Sequence, residues 1–277
     1  MMKRLLLCVQ FLLLTTIANA TGQEGDIIFI DGAKWELLGR PVCADSTLYH
    51  NLKAVLPKKR SITTANWDGF TAYWSVTQDK LCLDSIRCEY YDPRLKAHVG
   101  ERIPTDTLRH VFSKYLDENC IVAGWLTGDV RVATGKQIYY QHTGFERNYE
   151  EEKILRVHHG KIIEQHMFHN FVVEGFSFDC GGSDFQAKLK EMFPLHIEQY
   201  PELADANRIL FKVKRASVDS KGNLVECELQ VVRPEVNHRL AEEMTALMKA
   251  YKPWRTMYIN GEYRAYGIEG YTFPYIP

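Results

Sequence analysis

Apolar and polar residues alternate along much of this chain, and the alternation gives way to helical spacing in a few short stretches. Phe70, Ala72, Trp74 and Val76 alternate with Thr71, Tyr73 and Ser75, the pattern of a strand with one face in a core. A comparable run covers Leu81 to Tyr91. Ile27 to Ile30 and Ala33 to Leu38 flank Asp31-Gly32, a dipeptide suited to the positive φ of a type I′ hairpin turn. Ile121 to Leu126, Val130 to Val132 and Gln137 to Gln141 are further strands, broken at Gly128 and Gly135. Lys153 to Val157 pairs with Ile162 to Asn170 around His158-His159-Gly160-Lys161. Helical spacing occurs at Leu48, Leu52, Val55 and Leu56, with Asp45 as N-cap and Pro57 as stop. It recurs over Thr105 to Leu116, where Leu108, Val111, Phe112 and Tyr115 share a face, and Pro93 to Pro104 between them is a polar loop. A meander with inserted helices, not a βαβ alternation, predicts an α+β class. Residues 21–181 form an antiparallel-sheet N-terminal domain with two or three helices.

Cys180-Gly181-Gly182 ends that pattern. Ser183 and Gln186 have capping-box spacing and open a helix through Phe185, Leu189 and Met192. Residues 182–206 are this helix and a linker. Ile209 to Ser217 and Leu224 to Arg233 are strands around the turn Asp219-Ser220-Lys221-Gly222-Asn223, with Val225, Cys227, Leu229 and Val231 on one face. Pro234 suits the first turn of a helix, whose apolar stripe is Val236, Leu240, Met244 and Leu247. Pro253 stops it. Tyr258 to Arg264 carries an Asn260-Gly261 turn, and Tyr271 to Ile276 is a final strand. Residues 207–277 thus read as a small ββαβ domain.

Specific residues in this domain resemble the C-terminal domain of TonB-type energy transducers. They are Val218-Asp219-Ser220-Lys221-Gly222-Asn223-Leu224, Leu229-Gln230-Val231-Val232-Arg233, the helix with Ala241, Lys252-Pro253-Trp254, Ile259-Asn260-Gly261-Glu262 and Tyr271-Thr272-Phe273-Pro274. The resemblance implies a fold and a binding mode in which an extended peptide joins a sheet edge. That edge is the last strand, with Tyr271, Phe273 and Tyr275 as candidate contact residues. Pro274 has no N–H and must face away from the guest. A TonB transducer also has an uncleaved membrane helix and a long Pro-rich arm. This sequence shows neither, so energy coupling is not implied; a domain used for packing or self-association is the other reading. Three N-terminal pieces resemble an uncharacterised family of secreted proteins from Bacteroides-like bacteria, which implies no activity: Thr64-Ala65-Asn66-Trp67-Asp68-Gly69-Phe70, Gly124-Trp125-Leu126-Thr127-Gly128, and His142-Thr143-Gly144-Phe145 with Tyr149-Glu150-Glu151-Glu152.

The chain starts Met1-Met2-Lys3-Arg4, continues with the mostly apolar run Leu5 to Ile17 and reaches Ala18-Asn19-Ala20. These are the three parts of a cleavable secretory signal, residues 1–20. A membrane span needs ~20 apolar residues, and no other segment supplies them. The mature product is therefore expected in the periplasm, or outside the cell, with no membrane span after cleavage. Lys plus Arg is 34 and Asp plus Glu is 35, a balance that does not point to nucleic acid. Loss of Cys8 leaves Cys43, Cys82, Cys88, Cys120, Cys180 and Cys227. On one straight strand Cys82 and Cys88 lie about 20 Å apart, too far for a bridge. Cys227 reads as a core residue. Zero or one disulfide is expected, its pairing open.

No constellation has the spacing of a catalytic or metal site. His166 and His169 point to opposite faces of a strand and His158-His159 sits at a turn tip, so no zinc site and no cofactor are expected. Cys120 or Cys180 as nucleophile needs a histidine such as His142. Glu150-Glu151-Glu152 reads as a solvated strand end. The aromatics Trp67, Trp74, Trp125, Tyr139, Tyr140, Phe145 and Tyr149 favour strands, and some could line a cleft for a peptide or glycan, with Trp67, Trp125, His142 and Arg147 as candidates. The function expected is a periplasmic, non-enzymatic binding or adaptor protein for an extended peptide or envelope protein, with self-association a further option. The rival is a secreted peptide- or glycan-bond hydrolase with its site in the N-terminal domain.

Overall fold

The computed structural model describes residues 22–118, 120–178, 184–234 and 238–277. The expected signal peptide, Cys180 to Ser183 and Val236 lie outside the described residues. The class is α+β and strand-rich. The chain divides into two compact units, one ending at Phe168 and one covering His169–Pro277.

In the first unit the strands are β1 (Asp26–Ile30), β2 (Ala33–Leu37), β3 (Thr71–Thr77), β4 (Lys80–Asp92), β5 (Ala97–Arg102), β6 (Leu116–Asp117), β7 (Cys120–Val122), β8 (Gly128–Tyr140), β9 (Arg147–His158) and β10 (Lys161–His169). They follow the order β10-β9-β8-β2-β1-β3-β4-β7-β6, with β5 on β4 and a further β10–β4 pairing. That last contact, Lys161 opposite Lys80, closes the sheet into a ring from β4 round to β10. Asp31 and Gly32 both have positive φ in the β1–β2 turn, as the dipeptide predicts. Gly160 is required at the β9–β10 turn: its φ is +77°, and a Cβ would come within 2.7 Å of the Ala123 carbonyl carbon.

Four expectations change. Pro93 to Pro104, read as a loop, contains the strand β5, which pairs with β4. β1 and β3 pair in parallel, because helical turns at Pro41–Ala44 and Ser46–Val55 carry the chain back between β2 and β3. Val130–Val132 and Gln137–Gln141 belong to one strand, β8, bulged where the register shifts between Thr134 and Gln137 and Gly135 has a φ of +84°. The second helix stops at Val111 and tightens into a 3₁₀ turn, Ser113–Tyr115. The first helix follows its sequence closely: Asp45 Oδ1 accepts the N–H groups of Thr47 and Leu48, both at 2.9 Å, and Leu48 and Leu52 are buried. Each such leucine contributes roughly 1.5–3 kcal/mol of hydrophobic burial.

One carboxylate lies at the start of the β1–β3 contact. Asp26 is fully buried, and its oxygens accept the Ala72 N–H at 3.1 Å and the Trp74 indole N–H at 3.0 Å. Burial pushes its pKa up to about 6, against the lowering effect of those two bonds and of nearby Arg40. The folded protein therefore holds this proton more tightly than the unfolded chain. Its contribution to stability is fully present below about pH 4 and is lost as pH rises through about 6. Denaturant titrations from pH 4 to 7 should show a loss of about 2 kcal/mol from this group, and Asp26→Asn should flatten that slope.

Cys82 and Cys120 form a disulfide with Cα atoms 5.8 Å apart, across the junction of β4 and β7. It excludes a Cys82–Cys88 pair, as strand geometry requires. Closing a loop of 38 residues contributes about 4 kcal/mol in the chain-entropy account. Differential alkylation with peptide mapping should find Cys82 linked to Cys120 and Cys43, Cys88 and Cys227 labelled as thiols after unfolding.

The second unit contains β11 (Phe171–Val173), β12 (Ile209–Val218), β13 (Leu224–Arg233), β14 (Thr256–Ile259), β15 (Glu262–Ala265) and β16 (Thr272–Tyr275). They make two three-stranded sheets, β13-β12-β16 and β11-β14-β15. The partner of β14 is β11, upstream of the Gly181-Gly182 break, so the unit begins at His169 and not near 181. Leu189, Phe193, Tyr200 and Leu203 join its core, which makes the expected linker part of the packing. Leu240 and Met244 are buried as the helical stripe predicts, although the described helix begins at His238 and leaves Pro234 outside. Val225 is 56% exposed. The register skips it, pairing Glu226 with Ser217 and Leu224 with Val218, so this bulge turns Val225 away from the core face it was expected to share with Cys227.

Candidate functional site

The expected edge strand, β16, pairs with β12 on one side only. Ile209 opposes Tyr275, Phe211 opposes Phe273 and Lys212 opposes Thr272. Alternation then places Phe273 and Tyr275 on the core face. Phe273 stacks on Phe178 at 4.3 Å and on Phe211 at 5.4 Å, and both residues are buried. Of the three candidate contact residues only Tyr271 reaches the surface, its ring stacked 5.4 Å from Phe178. The edge offers its backbone, not the Phe273 and Tyr275 side chains.

A side-chain amide occupies that backbone. Gln186, on the helix Phe185–Met192, donates from Nε2 to the Pro274 carbonyl at 2.9 Å and accepts the Ile276 N–H on Oε1 at 3.1 Å. Lys190 donates to the Pro277 carbonyl at 3.2 Å. Gln186 fills the groups a neighbouring strand would use; the Ser183 half of the expected capping box lies outside the described residues. Pro274 points its carbonyl outward, so it faces the guest side, contrary to the condition set by its missing N–H. The segment after the helix is tied down as well. Leu195 N–H donates to the Tyr275 hydroxyl at 3.3 Å. Glu243 receives the His196 N–H, the His196 ring at 2.8 Å and the Tyr200 hydroxyl at 2.6 Å. The Glu243 contact raises the His196 pKa. The opposite edge, β13, is guarded by register shifts beside Phe211, Val213 and Val218 and by exposed Glu226 and Glu228, devices that blunt strand addition.

Of the four N-terminal candidates, Trp67 and Arg147 are linked through Gln23, whose Nε2 donates to the Thr64 carbonyl that also accepts the Trp67 indole N–H and whose own carbonyl accepts from Arg147. Trp67 is 69% exposed, with its indole N–H on the Thr64 carbonyl at 2.6 Å. Trp125 packs against Phe112 at 5.3 Å and Tyr115 at 4.9 Å and donates to the Pro41 carbonyl. His142 is exposed beside Tyr140. Arg147 is buried, bonded to the Gln23 carbonyl at 2.6 Å and paired with Glu36. Tyr149 also donates to Glu36 at 2.6 Å, and burial with that bond pushes its pKa up to about 12.

Glu152 is fully buried, which corrects the solvated reading of the acidic run. It accepts from Asn148 Nδ2 at 3.0 Å and the Tyr149 N–H at 2.9 Å, and pairs with Arg131 at 3.5 Å. Its oxygens are committed to structure. Cys120 is consumed by the disulfide, which removes it as a nucleophile. Cys43, exposed as a residue, turns its thiol to Asp68 at 3.8 Å; desolvation at the sulfur and the Asp68 charge push its pKa up to about 12, so it remains a thiol at neutral pH. Among the described residues no three His, Cys, Asp or Glu side chains are placed to share a metal ion.

No known protein family, curated protein or solved structure matches this chain.

Gln186→Ala should accelerate hydrogen exchange at the Ile276 amide and cost about 2 kcal/mol of unit stability, one for each bond lost, as read by exchange mass spectrometry.

Proposed function

We propose that this is an exported, non-enzymatic binding protein. Its C-terminal unit, similar to the TonB C-terminal domain, accepts an extended peptide or an envelope partner along β16 by strand addition. The observation that carries this is the bonding of the β16 outer edge. The Pro274 carbonyl and the Ile276 N–H are met by one side-chain amide, Gln186, and a side chain can leave where a paired strand could not. Tyr271 and Lys190 flank the edge and would touch a guest's side chains. The hydrolase alternative called for two facing carboxylates or a Cys–His contact beside Trp125 or His142. Trp125 has aromatic rings and the Pro41 carbonyl around it, and His142 has Tyr140.

Photocrosslinking from position 272 in a periplasmic extract tests the proposal. Ile276→Pro removes the outward N–H and should reduce crosslinked partners about fivefold or more, the equivalent of one lost backbone bond. Gln186→Ala, which uncovers the edge, should increase them. An unchanged partner set in Ile276→Pro would refute strand addition at this edge.

A further inference from the structure

β10 closes the ring of the first sheet only at its start. Lys161 opposes Lys80 on β4, and the Ile162 N–H donates to the Asp79 carbonyl at 2.7 Å. Beyond that point β10 pairs with β9 on one side, and among the described residues no strand lies on the other. Successive residues of a strand turn their backbone groups to alternate sides. Ile162 is turned toward β4, so Glu164, His166 and Phe168 turn their N–H and C=O groups to the open side. Both faces of this stretch meet solvent. Every residue from Ile163 to Met167 is exposed, Ile163 at 59% and Met167 at 43%.

An open strand edge is a template for another strand, and the sequence of this one is complementary to itself. Ile163-Glu164-Gln165-His166-Met167 keeps its chemistry when reversed about Gln165. Laid antiparallel on a second copy, with Gln165 opposite Gln165, Ile163 meets Met167 and Glu164 meets His166. The backbone agrees with the side chains. Glu164 and His166 turn outward, so they form the hydrogen-bonded pairs, and Ile163, Gln165 and Met167 form the closer, non-hydrogen-bonded pairs on one face. Outward residues have to meet outward residues, so the neighbouring registers centre on Glu164 or on His166. The first sets two carboxylates against each other. The second sets Glu164 against Phe168. Only the register centred on Gln165 matches apolar with apolar and acid with base.

We propose that β10 is a docking edge for a second copy of this chain, joined antiparallel from Ile163 to Met167 about a two-fold axis at Gln165. The interface is isologous: each Ile163 packs on the partner's Met167 and each Glu164 faces the partner's His166. Glu164 already bonds His166 of its own chain at 2.9 Å and Arg156 at 2.6 Å, so the charged face of the seam carries both signs from each copy. Asp79 occupies the edge at Ile162 and ends the seam there. A seam this short falls well below the ~20–30 residues a side of a standard interface, so the dimer is reversible and depends on concentration. This edge is independent of β16 and of what binds there.

Site-directed disulfide trapping of the full mature chain tests the proposal. Gln165→Cys would place two Cα atoms about 4.5 Å apart across the axis, within reach of a disulfide. Ile163→Cys would leave its two copies about 13 Å apart along the seam. Under mild oxidation, Gln165→Cys should form covalent dimers about tenfold faster than Ile163→Cys or the wild type, and a mixture of Ile163→Cys with Met167→Cys should link faster than either alone. Peptide mapping would locate each bridge and separate it from links through Cys43. Sedimentation velocity up to about 0.5 mM should show a dimer that Ile163→Lys weakens about tenfold. These positions are exposed, and matched circular dichroism would establish that each variant is folded. Equal trapping rates for Gln165→Cys and Ile163→Cys, or a dimer that Ile163→Lys leaves unchanged, would overturn the proposal.

Discussion

A carboxylate inside an apolar core has to be given hydrogen bonds where it stands, and in the N-terminal unit Asp26 sets the arrangement around it. Its two acceptor bonds go to the Ala72 N–H and the Trp74 indole, which ties the start of β1 to β3 alongside their parallel pairing. Arg40 supplies compensating charge near Asp26 and donates to Asp68 and to the Glu24 carbonyl, with its guanidinium over Phe70. Tyr49 donates to the same Asp68. Asp68 lies in the loop that carries Trp67, Phe70 directly precedes β3 and Glu24 directly precedes the start of β1. The buried charge and the loop that presents Trp67 are therefore two ends of one network. A change at Arg40 would disturb both.

Local features of this fold were legible in the sequence, and long-range ones were not. The Asp31-Gly32 turn needs only two residues able to hold positive φ. The helix behind Asp45 needs only its cap and the Leu48–Leu52 spacing. The same holds for Leu240 and Met244. Closure of the sheet by Lys161 and Lys80, the parallel β1–β3 pair and the β11–β14 pair join residues far apart in the chain, and no periodicity records such partners. The disulfide shows the boundary well. Strand geometry excluded Cys82–Cys88, but only the pairing of β4 with β7 makes Cys120 the partner.

The candidate sites failed or held for the same reason. Period-two alternation can put Phe273 and Tyr275 on a core face, or on a binding face, but not on both. Once Phe178 and Phe211 pack against Phe273, the contact role is left to backbone and to Tyr271. Glu152 was read from its neighbours as a solvated charge, yet alternation along β9 turns it inward to Arg131. Arg147 is likewise drawn into a pair with Glu36. Trp67 was legible as an aromatic, but the bond that holds its indole N–H to the Thr64 carbonyl leaves no mark in sequence.

The two edges of the β13-β12-β16 sheet are protected by different means, and the difference bears on the proposed role. Bulges in the β12–β13 ladder are part of the backbone path, so a guest on β13 would have to repack the strand. On β16 the guard is the Gln186 amide. A guest there first gives up what Gln186 makes, two neutral bonds worth about 1 kcal/mol each net, and then remakes the same two. The gain has to come from further along the edge, at Thr272, and from side-chain contact with Tyr271. Pro274 removes one donor from that ladder. Binding by this route is therefore reversible and of modest strength, with selectivity set by side chains beside the edge more than by the backbone bonds themselves.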